Sequence, residues 1–296
     1  MGTPQPGIFA IGTPLHHHVE FGLDDGVDPE LVLRAVRRAI EGAGTVAGVN
    51  VVVGFRPRLW AAVAPDRIVD EVVDFESVVG VGGYTMPATQ RDLWLWVHGS
   101  SSGANLDIAR AARTALAGVA HVVDEETCFG YGAGQDLTGF EDGTENPSVA
   151  DAPAVAVVPA GRPGAGSSVV LVQRWVHDLD AFGALAVVQQ EAVIGRTKSG
   201  SVELDDQRQP PTSHVRRVVV RDDDGAELEV FRRSTPFGDV REHGLLFVGF
   251  AQDQQRLARM LDRMAGVGDG IADRLTEFST PTSGSWYIAP TLEDLA

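Results

Sequence analysis

Side chains whose type alternates at successive positions predict β-strands in both halves of this chain. The segment 92–98, Asp-Leu-Trp-Leu-Trp-Val-His, is the clearest case, because successive side chains of a strand point to opposite faces of a sheet. We predict strands at residues 16–23, 49–55, 59–63, 92–98, 121–129, 168–176, 214–220, 227–232 and 243–250.

Apolar residues that recur every three or four positions predict amphipathic helices between these strands. Asp28 and Pro29 are typical of an N-cap and a first helical residue, and Gly42 and Gly44 predict the end of that helix. Further helices are predicted at residues 105–119, 178–190 and 253–264, the last with apolar residues at positions i, i+3, i+4 and i+7.

A strand followed by an amphipathic helix occurs at residues 92–119 and again at 243–265. This repetition predicts two α+β units, each a sheet covered by helices on one face. The Pro- and Ala-rich stretch 147–166 is the predicted linker. We therefore predict an N-terminal domain at residues 1–146 and a C-terminal domain at residues 167–296.

The charge of the chain restricts its partners. The formal net charge is −17 over 296 residues, and 44% of the residues are hydrophobic, as expected of a globular protein with a sizeable core. So acidic a protein is a poor match for nucleic acid, whose phosphates require clustered Lys and Arg, or for an anionic membrane. It suits neutral or cationic small molecules.

The single cysteine, Cys128, excludes an intramolecular disulfide and fits a reducing compartment. The first residues resemble neither a secretory nor a twin-arginine signal, and no run of about 18 apolar residues predicts a membrane span. We predict a cytoplasmic protein.

Three consecutive histidines, His16, His17 and His18, lie in the first predicted strand. Adjacent strand residues point to opposite faces, so only His16 and His18 could share a metal ion. A structural role is the favoured interpretation.

Residues 139–147, Gly-Phe-Glu-Asp-Gly-Thr-Glu-Asn-Pro, combine backbone constraint with charge. The glycines permit positive φ and the proline fixes φ, while Glu141, Asp142 and Glu145 supply carboxylates. Such a loop can present an acid to a cavity at close backbone approach. Local chemistry alone leaves a solvated acidic turn equally open.

Together with three later segments, this loop resembles the dye-decolorizing peroxidases, in particular their bacterial P/B-like class. Gly-Phe-Glu-Asp-Gly at residues 139–143 resembles the G-x-x-D-G signature of that family. His214, in Thr-Ser-His-Val-Arg-Arg, matches the histidine that ligates the haem iron. Arg232, in Val-Phe-Arg-Arg-Ser, matches the arginine over the haem, and residues 194–206 also resemble the family. The order and spacing of these blocks agree over the whole chain.

The resemblance implies an α+β fold of two ferredoxin-like domains, whose antiparallel sheets form a β-sandwich with helices on the outer faces, as in the dimeric α/β-barrel superfamily. It implies one haem b per chain, held mainly by the second domain. The implied activity is reduction of hydrogen peroxide and oxidation of dyes, phenolic compounds or other small reductants through ferryl intermediates. A homo-oligomer, dimeric or hexameric, is expected, and association with encapsulin is a family property, although no long cargo tail follows the last predicted strand.

By resemblance, Asp142 and Arg232 are the catalytic pair. Peroxide heterolysis needs a group that moves a proton between the two oxygens and a group that stabilises the leaving oxygen. Asp142 suits the first role, and Arg232, which is permanently charged, suits the second. Ser234 stands where related bacterial proteins often have Asn, and on a regular strand it would share a face with Arg232.

The cofactor contacts follow from the same resemblance. His214 is the expected axial ligand of the haem iron, Gly143 allows close backbone approach, and Arg196 is expected to bind a haem propionate. A ligating histidine usually donates its other N–H to a carboxylate, for which Glu277 is the first candidate and Asp273 the second. The alternative for Arg196 and the neighbouring cations is pairing with Glu203, Asp205 and Asp206.

Electron transfer from bulky donors would pass through Trp or Tyr side chains, among which Trp94 and Trp96 are more typical of core residues.

Two other functions remain open from the sequence. A haem-binding protein for haem transfer, storage or sensing would need His214 but neither Asp142 nor Arg232. A haem-free module would need none of the three.

Overall fold

The structure, a computed structural model, describes residues 2–41 and 48–296. Gly42 and Gly44, predicted to end the first helix, lie outside the described residues. The strands are β1 (Leu15–Leu23), β2 (Val49–Phe55), β3 (Val78–Val79), β4 (Thr85–Met86), β5 (Leu93–Gly99), β6 (Ala120–Phe129), β7 (Ser168–His177), β8 (Phe231–Arg232), β9 (Thr235–Gly238), β10 (His243–Ala251), β11 (Ser279–Pro281) and β12 (Ser285–Ala289).

Helices precede or follow most of these strands. Asp28 caps the first of them as the sequence predicts, whereas the helix predicted to start at Asn105 begins at Ser102. The Asp28 carboxylate accepts a hydrogen bond from the Glu30 N–H at 2.9 Å. Ser101 Oγ accepts one from the Ala104 N–H at 3.3 Å. The helices are α1 (Pro29–Glu41), α2 (Pro57–Val63), α3 (Ser102–Ala115), α4 (Ala152–Ala156), α5 (Leu179–Gly183), α6 (Val187–Ile194), α7 (His214–Val218), α8 (Gln254–Met264) and α9 (Leu292–Leu295).

The main sheet closes on itself. Its strands follow the order β7-β12-β2-β5-β1-β6-β9-β10, and β10 pairs again with β7 along eight residue pairs. All of these pairings are antiparallel, and β11 and β8 extend the edges of β7 and β10. The halves of the chain meet where Cys128 pairs with Phe237 and where Ile288 pairs with Phe55. The result is a barrel with an interior and an exterior face.

Residues of each strand divide between these faces. On β5, Trp94 and Trp96 point inward and join an interior core with residues such as Val172 and Phe250. Leu93 and Leu95 point outward and pack beneath the helices that cover the barrel. Trp94 and Trp96 are 0% exposed, which confirms their prediction as core residues.

Several predicted elements have a different form in the structure. Residues 59–63 belong to helix α2 rather than to a strand, because Pro57 provides its first turn. Residues 214–218 are also helical, although their β-branched composition predicted a strand. The predicted helix 178–190 is divided into α5 and α6, and the Gln190 amide donates to the Phe182 and Leu185 carbonyl oxygens at the break. Of residues 227–232, only Phe231–Arg232 forms a strand.

The segment 147–166 packs against the barrel. It contains α4, and Ala152, Ala156 and Val157 belong to the interior core. The domain division at this segment stays a prediction. Among the helices of residues 2–41 and 48–296, none has the length and apolarity that a membrane crossing requires.

Candidate active site

Two adjoining cavities lie outside the barrel, between the outer face of β7 and β10 and helices α7 and α8. Both cavities are bordered by Asp142, His214 and Arg232. The structure therefore brings together the three residues that were assigned from separate segments of the sequence. The apolar part of the first cavity's wall consists of Phe140, Trp175, Ile194, Val218, Leu245, Phe247, Met260, Leu261, Met264 and Leu275.

The loop that carries Asp142 depends on its two glycines. Gly139 and Gly143 have φ angles of 85° and 74°, a region that other residues rarely adopt. The Asp142 N–H donates to the Gly134 carbonyl oxygen at 3.0 Å, and the Asp142 carboxylate accepts from the Gly143 N–H at 2.7 Å. These contacts hold the carboxylate at the cavity, while the neighbouring Glu141 is exposed.

The surroundings of Asp142 set its protonation. Burial raises the pKa of Asp142 above its ordinary value, and the negative charge of Asp136 adds to this effect. The positive charge of Arg232 and the hydrogen bond from Gly143 lower the pKa. Asp142 is thus an acid-base group whose affinity for a proton is greater than that of an exposed aspartate.

Arg232 is anchored through its backbone. The Asn146 side-chain amide donates to the Arg232 carbonyl oxygen at 2.8 Å and accepts from the Arg232 N–H at 2.9 Å. Within the described residues, the Arg232 guanidinium forms no ion pair, so its donors remain available to the cavity. Asn146 stands within the glycine-rich motif at residues 139–147, but no pattern in that motif predicts its contact with Arg232.

His214 begins helix α7 and is oriented by a buried carboxylate. Its Nδ1 lies 2.6 Å from Asp273 Oδ2, and the Asp273 side chain is 0% exposed. The Glu277 side chain is 60% exposed and lies 3.6 Å from Arg274. The assignment of Glu277 as the partner of His214 is therefore wrong, and the second candidate, Asp273, takes that place. Asp273 also caps the turn Arg274–Glu277, accepting from the Leu275 N–H at 2.9 Å.

These residues fit a haem. Asp273 engages Nδ1 of His214, which leaves Nε2 for an iron ion. The wall offers apolar surface for a porphyrin. Gln173 also borders the cavity, and its buried amide atoms, which ordinarily would be hydrogen-bonded, have no partner within residues 2–41 and 48–296.

Arg196 borders the second of the two cavities, as does Gly143. Its guanidinium pairs with Glu145, lies 3.5 Å from Glu203, and donates to the Ser201 carbonyl oxygen at 2.8 Å. The alternative, that these cations pair with Glu203, Asp205 and Asp206, is thus confirmed for Arg196 with Glu203 and for Arg216 with Asp206. A propionate contact of Arg196 would add to these interactions or exchange with them.

Ser234 lies outside the cavity walls. Strand β8 ends at Arg232 and β9 begins at Thr235, so the alternation on which the prediction relied is interrupted. Ser234 Oγ accepts a hydrogen bond from the Val248 N–H at 3.4 Å. The structure does not bring Ser234 together with Asp142 and Arg232.

A second histidine-carboxylate pair borders the cavity. His177 Nε2 lies 3.2 Å from Asp136 Oδ2, and His177 Nδ1 lies 2.9 Å from Ser279 Oγ. The hydrogen bonds of Asp136 to His177 and Thr138 lower its pKa despite burial, so Asp136 stays ionised. No periodicity or spacing in the sequence predicted this pair, because Asp136, His177 and the hydrogen-bonded Ser279 come from three separate segments.

A metal site of three or more His, Cys, Asp or Glu side chains does not occur within the described residues. His16 and His18 are buried and stack at a ring-centroid distance of 6.3 Å. Glu145, whose carboxylate could suit a hard cation, is engaged with Arg196 instead.

Comparison with known proteins relates the chain to one family. Residues 133–294 match the family model described as Dyp-type peroxidase, C-terminal. The chain is 34% identical to a protein named dye-decolorizing peroxidase from Mycolicibacterium paratuberculosis, over 99% of this chain and 84% of that protein. The fold is similar to that of DyPB from Rhodococcus jostii RHA1, with a TM-score of 0.92, 32% identity, and coverage of 99% and 97% of the two chains. A DypB variant of the same organism, in complex with heme, gives a TM-score of 0.89 at 31% identity over 96% and 94%.

Proposed function

This chain belongs to the dye-decolorizing peroxidase family and is a haem-dependent peroxidase, and we propose that Asp142 and Arg232 are the two residues that cleave hydrogen peroxide. One observation carries this proposal. The carboxylate of Asp142 and the guanidinium of Arg232 border the same cavity as the imidazole of His214. A haem carrier would need only the imidazole, so this alternative is not favoured.

Asp142 acts as the acid-base group. Its carboxylate accepts the proton of one peroxide oxygen and returns it to the other, so that water leaves instead of hydroxide. The group must be ionised when peroxide arrives. Because burial raises the pKa of Asp142, the carboxylate is a stronger base than an exposed aspartate, and it loses its catalytic form at a higher pH than an exposed aspartate would.

Arg232 stabilises charge. Its guanidinium donates hydrogen bonds to the oxygen on which negative charge develops as the O–O bond breaks. The anchor to Asn146 fixes its position before peroxide arrives, so little reorganisation is needed. Removal of such a donor typically costs about a hundredfold to a thousandfold in rate.

His214 and Asp273 would tune the bound cofactor. When bound, haem supplies the redox-active iron that delivers electrons to peroxide and recovers them from a reductant. His214 would hold the iron through Nε2, and the Asp273 carboxylate at Nδ1 makes the imidazole more electron-rich. We assign the propionate contact to Arg196, supported by its place beside Gly143 in the second cavity, where Glu145 would release it.

The substrates are hydrogen peroxide and reductants, and dyes and phenolic compounds are the reductants that we propose.

We also propose that the two halves of the chain are ferredoxin-like units. In support, the longer strands of the two halves follow the same order. When the two- and three-residue strands β3, β4, β8 and β11 are left out and the others are numbered in chain order within each half, β2-β5-β1-β6 and β9-β10-β7-β12 both read 2-3-1-4. The homo-oligomer and the association with encapsulin stay predictions of the family resemblance.

Phenylperacetic acid provides a test of the proposed chemistry. Charge-stabilised heterolysis of this peracid gives phenylacetic acid, whereas homolysis gives products of a carbon radical. We expect the haem-loaded protein to form mainly phenylacetic acid, and Arg232→Leu to shift the products toward homolysis. Arg241→Leu, which removes an exposed arginine, is the matched control. Homolysis in the unaltered protein would refute the proposed role of Arg232.

A further inference from the structure

Asp136 and Asp142 lie on one face of the hairpin formed by residues 134–142. Gln135 and Glu141 pair there as an isolated antiparallel bridge, with a backbone hydrogen bond on either side. Side chains alternate along each arm of such a hairpin. The two aspartates, each one position from the bridge, therefore share the face opposite to the bridged pair, and both border the active-site cavity.

His177 joins this hairpin to the main sheet. Its Nε2 lies 3.2 Å from Asp136 Oδ2, and its Nδ1 lies 2.9 Å from Ser279 Oγ. His177 on β7 and Ser279 on β11 are paired residues of neighbouring strands. One imidazole thus connects the hairpin that carries Asp142 to two strands of the sheet.

The hydrogen bonds of His177 have a defined direction. Burial alone would raise the pKa of Asp136, but hydrogen bonds from His177 and from the Thr138 N–H, at 2.8 Å, lower it below its ordinary value. An ionised carboxylate only accepts hydrogen bonds, so the proton of the neutral imidazole is on Nε2. Nδ1 then accepts from the Ser279 hydroxyl, which fixes the tautomer that donates to Asp136.

The charge of Asp136 acts on Asp142. Burial raises the pKa of Asp142, the positive charge of Arg232 on β8 lowers it, and the negative charge of Asp136 raises it. The hydrogen bond from the Gly143 N–H and the charge of His214 on α7 lower it further. Asp136 thus makes Asp142 a stronger base, and it does so as long as it is ionised.

We propose that His177 is a positioning residue of the peroxide reaction, which keeps Asp136 ionised and so sets how readily Asp142 accepts and returns a proton. This inference rests on the proposed role of Asp142. His177 acts through Asp136 and requires no contact with peroxide. A residue that merely anchored the hairpin would lack this effect on proton transfer.

Two amide substitutions distinguish the two contacts of His177. A Gln side chain places its N–H near the position of Nε2 and can donate to Asp136, whereas the shorter Asn side chain reaches Ser279 but not Asp136. In His177→Asn, Asp136 stays buried without this donor, so its pKa rises and it takes up a proton.

The pH dependence of the reaction of haem-loaded protein with hydrogen peroxide measures the consequence. Loss of the charge on Asp136 lowers the pKa of Asp142, so the acid limb of the rate should move to lower pH in His177→Asn, by on the order of one pH unit. His177→Gln should keep the limb of the unaltered protein. His121→Asn, the same substitution in an exposed histidine that lies 2.9 Å from Asp24, is the matched control and should also keep it.

The double variant His177→Asn/Asp136→Asn shows whether His177 acts through Asp136. Its acid limb should coincide with that of Asp136→Asn alone, because the charge is already absent. Infrared spectroscopy of the resting ferric protein at neutral pH detects the proton without turnover. His177→Asn should show an additional C=O stretching band of a protonated carboxyl group, and the double variant should lack it.

The opposite results would overturn the inference. If His177→Asn loses rate equally at every pH, with no additional carboxyl band, His177 is a structural anchor of the hairpin. If the double variant shifts further than Asp136→Asn alone, His177 acts by another route. An acid limb that is unchanged in Asp142→Ala would refute the proposed function, on which the inference rests, whereas a failure at His177 alone leaves the loss of that limb in Asp142→Ala intact.

Discussion

The side-chain amide of Asn146 forms both of its backbone hydrogen bonds with one residue, Arg232, at 2.8 and 2.9 Å. Asn146 belongs to the glycine-rich loop that carries Asp142, and Arg232 belongs to the short strand β8. The amide therefore fixes the distance between the loop of the proton-transferring residue and the strand of the charge-stabilising residue. Neither segment could move without breaking this pair of bonds.

Asn146→Ala should therefore slow the reaction with peroxide. The variant loses both hydrogen bonds, which should destabilise the fold by about 1–3 kcal/mol, and it misplaces Arg232, which can reduce the rate up to about a hundredfold. The rate of the haem absorbance change with hydrogen peroxide measures this effect. Asn50→Ala, which removes a side-chain hydrogen bond to the His98 carbonyl oxygen, is the control for stability. An equal loss of rate in both variants would contradict a positioning role for Asn146.

Asp273→Asn should raise the reduction potential of the ferric haem. The change removes the negative charge beside Nδ1 of His214, so the imidazole becomes less electron-rich and stabilises the ferric state less. A tenfold change in relative stability corresponds to about 59 mV for one electron, and we expect a shift on that order. A spectroelectrochemical titration measures it.

Glu277→Gln is the matched control for that titration. Glu277 is a carboxylate four residues further along the chain, but it is exposed and pairs with Arg274. We expect the haem of the Glu277→Gln variant to have the same reduction potential as that of the unaltered protein. A larger shift in Glu277→Gln than in Asp273→Asn would restore the assignment made from the sequence.

Asp136→Asn should move the acid limb of the pH-activity profile to lower pH. Activity requires the ionised Asp142 and therefore rises as pH increases through its pKa. The charge of Asp136 raises the pKa of Asp142, so removal of that charge lowers it and extends activity into more acidic solution. Asp107→Asn, at an exposed position of α3, should leave the profile unchanged. A limb that moves to higher pH would contradict this coupling.

The free energy of unfolding of the unaltered protein should fall as pH rises, and Glu20→Gln should remove this fall. Burial raises the pKa of Glu20 to about 7, whereas the unfolded chain has a value of about 4.3. Between these values the folded protein holds the proton that the unfolded chain releases, so the free energy of unfolding falls as pH rises. At pH 8 the variant should be more stable by up to about 3 kcal/mol, and at pH 4 the difference should vanish.

Urea unfolding at these two pH values measures the effect of Glu20→Gln. Glu76→Gln, at an exposed position, is the control and should show no such dependence. An equal difference at both pH values would mean that Glu20 is ionised, or protonated, throughout the range.

Much of the fold followed from local patterns. The strands that build the barrel, such as Leu93–Gly99 and His243–Ala251, have periodic side chains, and capping residues such as Asp28 are local signals. The helix at His214–Val218 could not be predicted in this way, since five residues are too few for periodicity. Its position depends on packing against α8.

The site was predicted where the motif itself carries the residue, as for Asp142, His214 and Arg232. It was missed where a contact joins distant segments. The sequence alone does not distinguish Asp273 from Glu277 as the partner of His214. The turn at Arg274–Glu277 places Asp273 against His214 and Glu277 in solvent. Such choices depend on tertiary packing, which a local pattern does not contain.

The most direct test of the peroxidase site is a stopped-flow measurement of the haem absorbance spectrum after one equivalent of hydrogen peroxide. The unaltered ferric protein should change its spectrum rapidly, and Asp142→Ala and Arg232→Leu should each react roughly a hundredfold more slowly or slower still. Arg241→Leu should react at the unaltered rate. If both site variants also react at that rate, Asp142 and Arg232 do not cleave peroxide, and the cavity they border with His214 has another use.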